Sequence, residues 1–475
     1  MQRRNSHAAH LLMKDSLNGR ISRRDVMKRA AALGVSASMA GTMLRAYGAA
    51  AQGSPAAGQE PGWSLVMPEV RTDLSGQEIT VVMGSDGPST PFEEAVVAMF
   101  AEATGIVVNR IAGAQSATDR LTQYQQFLGA EASDIDSMQI DVIWPGILAT
   151  HAIDLSETLA ANEVEYFERI VTNNTVNEEL VGIPWFTDAG ILYYRTDLLD
   201  KYGFEAPPMT WAELTEMAQT IQDGEREAAP DFQGFVWQGA AYEGLTCDAL
   251  EWQVSHGGGV IVEEDLTVSV NNPQAIAAFN MARGWVGTIT PEGVTNYREE
   301  DARNVWQGGN AAFMRNWPYA YSLGQAEDSV IRDLFDVTLL PMGEGEGAQH
   351  ADTLGGWQMM VSRYSEAPEA ATEWAKFATS REFQKAHAIE RSLLPTIPEL
   401  YDDPEVLAAN PFFAQLKDVF LGGAVARPSS QTADLYNEVS TAYFTVINQI
   451  LTGSVEAEPA VEELAGELED IVADL

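Results

Sequence analysis

Hydrophobic and polar positions along the chain change period in a way that marks out alternating elements. Ile79-Thr80-Val81-Val82-Met83 is a short apolar run of strand length, and residues 92–103 follow with helical spacing. Ile106-Val107-Val108 reads as the next strand, 118–128 as a helix, and Ile140-Asp141-Val142-Ile143 as a third strand. Strand and helix alternating at this spacing predict an α/β fold with a largely parallel sheet. In such sheets ligands sit beyond the carboxyl ends of the strands. Further on, Pro207-Pro208 leads into a helix that Thr210 caps, with Glu213 completing a capping box, and Asn272-Pro273 opens another helix the same way.

Polar residues that interrupt the apolar runs carry the candidate chemistry. Asp141 lies inside an apolar strand and Asp188 inside the run 182–195. A buried carboxylate without a partner is costly, so Asp141 is either hydrogen-bonded locally or facing a cleft. In the stretch 309–321, an apolar run ends in Arg315-Asn316, and Trp317 and Tyr319 follow two residues apart. Alternation at that spacing predicts both rings on one face of an extended segment stiffened by Pro318. Rigid aromatics beside amide and guanidinium donors suit a sugar, which has apolar ring faces and polar edges; an ordinary core strand is the other reading. Gly355 and Gly356 allow close backbone approach to a ligand, and the bulky Trp357 follows. Arg427-Pro428 precedes Tyr436 and a helical tail to Leu475.

The first 50 residues do not read as part of a fold. Arg23-Arg24 stands ahead of a small-residue apolar run from Ala30 to Ala40, and Ala49-Ala50-Ala51 follows. That is the pattern of a twin-arginine export signal, 1–51, with 52–76 as a mobile leader. The apolar run is short and broken by Gly41 and Arg45, which argues against a permanent membrane span, and no cysteine follows it directly to carry a lipid anchor; cleavage near Ala51 and retention as a membrane tether are the two fates left open. Nine of the 28 Lys/Arg and two of the 69 Asp/Glu lie in residues 1–50, leaving 19 against 67 and a net charge of −48. That excess argues against nucleic acid and anionic membranes as partners. The single Cys247 excludes an intrachain disulfide, and six scattered histidines show no metal-ligand spacing, so no metal or other cofactor is expected. The roughly 425 residues beyond the signal are too many for one core, so two domains are expected.

The segments WFTDAGILYYRTDLLDKYGF, GFVWQGAAYEGLTCDALEW, GNAAFMRNWPYAY, TLGGWQMMVS and ARPSS together resemble the extracellular solute-binding proteins of carbohydrate ABC transporters. Within that family the chain is most similar to the trehalose/maltose-binding proteins, from Glu78 to the C-terminus. The resemblance implies a periplasmic or extracellular monomer of two α/β lobes around a ligand cleft, working with membrane permease subunits. It implies an N-terminal lobe of 77–186 and 322–378, a C-terminal lobe of 187–321 and 379–475, and three hinge crossings near Asp188, Tyr321 and Ala378. The ligand implied is an α-glucoside disaccharide, trehalose or maltose, captured by hinge closure, with another sugar or oligosaccharide as the alternative. The contacts carried over fall on Arg120, Asp141, Asp188, Trp317, Tyr319, Gly355, Gly356, Trp357, Arg427 and Tyr436. One departure concerns a glutamate that close relatives place near Ser89, where this chain offers only Glu93 or Glu94 nearby.

Two carboxylates with tryptophans also fit a glycoside hydrolase using Asp141 and Asp188 as acid and base or nucleophile. A general acid needs a raised pKa, whereas arginine or amide donors beside both aspartates would keep them ionised, which favours binding over catalysis.

Overall fold

The computed structural model describes residues 65–84, 90–422 and 424–475. The export signal at Arg23-Arg24, the leader up to residue 64, and Ser89 lie outside the described residues.

Two sheets organise the chain. The first comprises β1 (Glu78–Met83), β2 (Val107–Ala112), β3 (Ser137–Asp141), β6 (Ile183–Ala189) and β11 (Leu354–Val361), in the order β2-β1-β3-β11-β6. Between β3 and β6 the two-residue strands β4 (Thr175–Val176) and β5 (Glu179–Leu180) form a small hairpin. β1 runs parallel to β2 and to β3, as the strand–helix alternation predicts. The other half of the sheet departs from the expected parallel pattern: β11 is antiparallel to both β3 and β6. The cause is topological. The chain leaves this sheet at Ala189 and returns at Leu354, which pairs with Ala189, so the returning strand runs back along the departing one.

The second sheet comprises β7 (Ile191–Arg195), β8 (Gln233–Val236), β9 (Ala311–Asn316) and β10 (Phe335–Thr338), in the order β10-β7-β9-β8. Only Gly190 separates β6 from β7, so the chain passes from the first sheet to the second at residue 190, two positions after Asp188. The second does not fall near Tyr321. Phe335–Thr338 pairs with β7 and buries Phe335 against Tyr193 and Trp306, which keeps the chain with the second sheet. That crossing therefore lies in residues 339–353. The third follows the helix Pro368–Ala378, which packs in the first core. Helix Arg381–Arg391 then gives Phe383 and Ala386 to that core and Ala388 to the other side.

Local signals set several helix starts. Thr210 Oγ accepts the Glu213 N–H at 3.2 Å and Glu213 returns to the Thr210 N–H, so the predicted capping box forms. Asn272 accepts the Ala275 N–H at 2.9 Å. Ser116 caps helix Ala117–Gly129, which carries Arg120 one turn in. Ile79, Phe92, Phe100 and Trp374 fill the first core, while Trp211, Phe235, Trp252 and Trp285 fill the second together with the C-terminal helices Tyr436–Leu451 and Ala457–Val472.

Candidate functional site

A cleft of about 240 Å³ opens between elements of the two sheets. β3 ends in Asp141 at its floor, as expected for strand carboxyl ends in this class. β11 pairs Trp357 with Asp141 on one side and with Phe186 on the other, and sets Gly355 opposite Asp188. Nine of the ten expected residues line this cleft: Arg120, Asp141, Asp188, Trp317, Tyr319, Gly355, Gly356, Trp357 and Arg427. The tenth, Tyr436, does not. It is buried behind the wall and donates its hydroxyl to Glu243 Oε1 at 2.6 Å.

Glu243 is the group that sequence reasoning missed. Its first oxygen accepts from Tyr436 and from Arg427 Nη1 (2.8 Å), and its second from Ser440 Oγ (2.6 Å). Arg427 in turn reaches Asp141 Oδ1 at 3.1 Å, so one guanidinium bridges carboxylates from both sides of the cleft. Burial pushes the Asp141 carboxyl up, with Arg427 pulling against it. That direction differs from an aspartate held simply ionised by its neighbours. The sequence signal for Glu243 is slight, three acids (Glu243, Asp248 and Glu251) set among apolar residues; the structure shows helix Glu243–Ser255 buried along its whole length, so each acid needs a partner.

The aromatic walls are built differently from the extended segment expected. β9 stops at Asn316, whose side-chain oxygen accepts the Trp317 N–H at 2.8 Å. Trp317-Pro318-Tyr319 then turns into a short helix, Ala320–Gly324, and both rings still reach the cleft. Tyr319 donates to Glu300 Oε1 at 2.7 Å. Arg315 is not a cleft donor; it points into the interior beneath Trp317. The two glycines admit protein rather than only ligand. A Cβ on Gly355 would sit 3.0 Å from Trp317 Cζ3, and Gly356, at φ +125°, lies against the Phe186 carbonyl.

Arg120 stacks on Trp357, 4.6 Å from guanidinium carbon to ring centroid, and donates Nε and Nη2 to the Ala114 carbonyl at 2.9 and 2.7 Å. Its Nη1 is buried and has no partner among the described residues, and the same holds for Trp185 Nε1 and Gln139 Oε1 on the same wall. Glu93, offered by the sequence in place of the relatives' glutamate, lines the cleft but is engaged by Arg110 Nε at 2.6 Å. His387 stacks between Phe92 and Trp185 with ring centroids 5.2 Å away on each side; burial and Arg391 hold its pKa well below normal, so it is neutral. Among the described residues no cluster of side chains suits a metal ion.

Two α/β halves joined by crossing strands around a polar, aromatic-walled cleft define a two-lobed solute-binding fold. The chain belongs to the bacterial extracellular solute-binding proteins, whose family pattern matches residues 86–385. A probable ABC transporter-binding protein of Deinococcus radiodurans is 49% identical over 393 residues, covering 82% of this chain and 93% of its own. Maltose-bound T. maritima MalE3 superposes with a TM-score of 0.78 at 39% identity, covering 83% of this chain and 100% of that one. A solute-binding protein of Thermotoga lettingae bound to α-D-tagatose, at 22% identity and a TM-score of 0.74, shares the fold over 84% of this chain and 100% of its own. The family is one of solute binders rather than enzymes.

Proposed function

We propose that this protein is the sugar-capturing component of an ABC importer and takes an α-linked glucose disaccharide, trehalose or maltose, in the cleft. The observation that carries the reading is the set of buried, unpartnered groups on an aromatic wall: Arg120 Nη1 and Trp185 Nε1 as donors and Gln139 Oε1 as acceptor. Hydroxyls both donate and accept, so a sugar ring satisfies such a mixed set while its C–H faces cover Trp317, Tyr319 and Trp357. Buried polar groups of this kind reject ligands that leave them unpaired. The maltose found in MalE3, at 39% identity, supports the disaccharide class. Asp188 and Gly355, paired across β6 and β11, sit at the cleft beside the first crossing, so closure of the lobes would change the site directly.

Calorimetric titration of the purified protein with trehalose, maltose, a monosaccharide and an amino acid tests the reading. Binding of one of the disaccharides is expected; binding of the amino acid with no response to any sugar overturns it. Arg23-Arg24 directs export to the periplasm or cell exterior, where permease subunits receive the loaded protein. Replacing both arginines with lysine is expected to retain the precursor in the cytoplasm, and normal export of that variant would refute the route.

A further inference from the structure

Beneath Trp317 lies a charged group that the sugar reading does not use. Arg315 is 1% exposed, and its guanidinium carbon stands 4.1 Å from the centroid of the Trp317 ring. Nε donates to Glu251 Oε2 at 2.9 Å and lies 3.1 Å from Asp248 Oδ1, Nη1 donates to Gln238 Oε1 at 3.1 Å, and Nη2 pairs with Glu251 Oε1. Gln238 locks the arrangement, giving Nε2 to the Arg315 carbonyl at 3.0 Å and its backbone N–H to Asp248 Oδ2 at 2.9 Å. Each of the three guanidinium nitrogens is thus held by a partner in the cluster, and the group lies over the indole.

The same cluster touches two of the chain crossings. Glu251 Oε1 accepts the Thr353 N–H at 3.3 Å, and the Gly190 N–H donates to the Thr353 carbonyl at 3.2 Å. Gly190 has no room for a side chain, because a Cβ there would overlap Glu251 Oε1 and Arg315 Nη2. The Cζ3–Cη2 edge of the Trp317 ring meets Gly355, just past the second crossing. Buried ion pairs add little net stability over well-packed apolar groups, so the cluster is better explained by what it orients. A desolvated cation on one face of an indole holds that ring in place and leaves the other face for a ligand.

We propose that Arg315 is a positioning residue for the ligand: it fixes the Trp317 indole as a stacking face and, through Glu251, ties that face to the crossings at Gly190 and Thr353. The proposal rests on the sugar reading of the cleft. Its test is ¹⁹F NMR of protein labelled with 5-fluorotryptophan, with the Trp317 and Trp357 lines assigned by their loss in Trp317→Phe and Trp357→Phe. In Arg315→Lys the Trp317 line is expected to shift and broaden while the Trp357 line stays. The maltose Kd should rise on the order of tenfold, the loss of about one aromatic contact. In a Trp317→Phe background the same lysine substitution should change affinity much less.

An unchanged Trp317 line and Kd in a folded Arg315→Lys protein overturn the proposal, and so does an equal disturbance of all the tryptophan lines, which marks a general structural role. If Arg315→Lys does not fold, Glu251→Gln, which keeps the cation and the shape of the cluster, is read by the same criteria. Should the parent bind no sugar, the functional reading fails by itself, while the spectra recorded without sugar still decide whether Arg315 orders Trp317.

Discussion

Arg120 illustrates how a single side chain can be held ready for a ligand. Two of its nitrogens are tied to the Ala114 carbonyl, its guanidinium carbon stands over the Trp357 ring, and the third nitrogen remains unpartnered among the described residues. The side chain is already ordered by these contacts, so little conformational entropy is lost at the arginine itself on binding. Arg120→Met, which keeps an unbranched apolar side chain of similar reach but removes the guanidinium donors, should weaken sugar binding by about 1.5–3 kcal/mol, the range for hydrogen bonds to charged groups. Trp357→Ala should cost about 1–3 kcal/mol through lost apolar and stacking contact. Calorimetry on variants that melt near the parent temperature measures both. Tyr436 lies behind the wall rather than on it, so Tyr436→Phe should act mainly on folding. It removes the donor to Glu243 and should cost about 1–2 kcal/mol in denaturant unfolding. Its effect on affinity should be smaller than that of Arg120→Met.

Among the elements, β11 and the crossing before it carry the constraints. Gly356 has φ +125°, and a Cβ there would stand 2.7 Å from the Phe186 carbonyl oxygen and 2.8 Å from Thr187 Cα, both backbone atoms that cannot swing aside. Gly356→Ala should therefore cost about 2 kcal/mol or more, read from urea unfolding. Asp352, in the crossing segment, accepts the Leu340 N–H at 2.9 Å, and burial pushes its carboxyl up to about 8. An unfolded aspartate titrates near ~3.9, so between that pH and about 8 the folded chain binds the extra proton. The stability due to Asp352 is then complete below about pH 4 and is lost as pH rises towards 8. Asp352→Asn keeps an acceptor but cannot ionise, so the fall in melting temperature from pH 5 to pH 8 should be shallower in the variant. An identical slope in both proteins would contradict the assignment.

For the molecule as a whole, the cleft draws on both sheets, and the two sides already touch. The Glu243 N–H donates to Thr118 Oγ at 3.3 Å, joining helix Glu243–Ser255 to helix Ala117–Gly129, and Arg427 spans from Glu243 to Asp141. Joints such as the single residue Gly190 can absorb a rotation between halves, and a ligand that contacts both halves selects the closed form. Adding the cognate sugar should lower the radius of gyration in small-angle scattering. An unchanged radius with binding shown by calorimetry would exclude a hinge motion. The large acid excess keeps most of the surface repulsive to nucleic acid and anionic lipid.

Local order was legible directly. The capping box at Thr210, the Asn272 cap, and the strands and helices up to β3 follow from periodicity and short-range hydrogen bonds, which depend only on neighbours in the chain. The acids and aromatics that interrupt apolar runs pointed to the cleft wall, because buried polar groups and clustered rings need a common reason. The family resemblance added Arg120 and Arg427, whose sequence surroundings show nothing unusual. The pairing of distant groups was not legible. Glu243 meets Tyr436 across 193 positions and Arg427 across 184, and Arg315 meets Glu251 across 64. Which carboxylate an arginine finds, and whether a tyrosine stands on the wall or behind it, depends on how the helices pack. The same limit explains β10, whose four residues carry no sign of the strand they join. Periodicity tells which face of an element is buried, whereas only the folded chain chooses what that face is buried against.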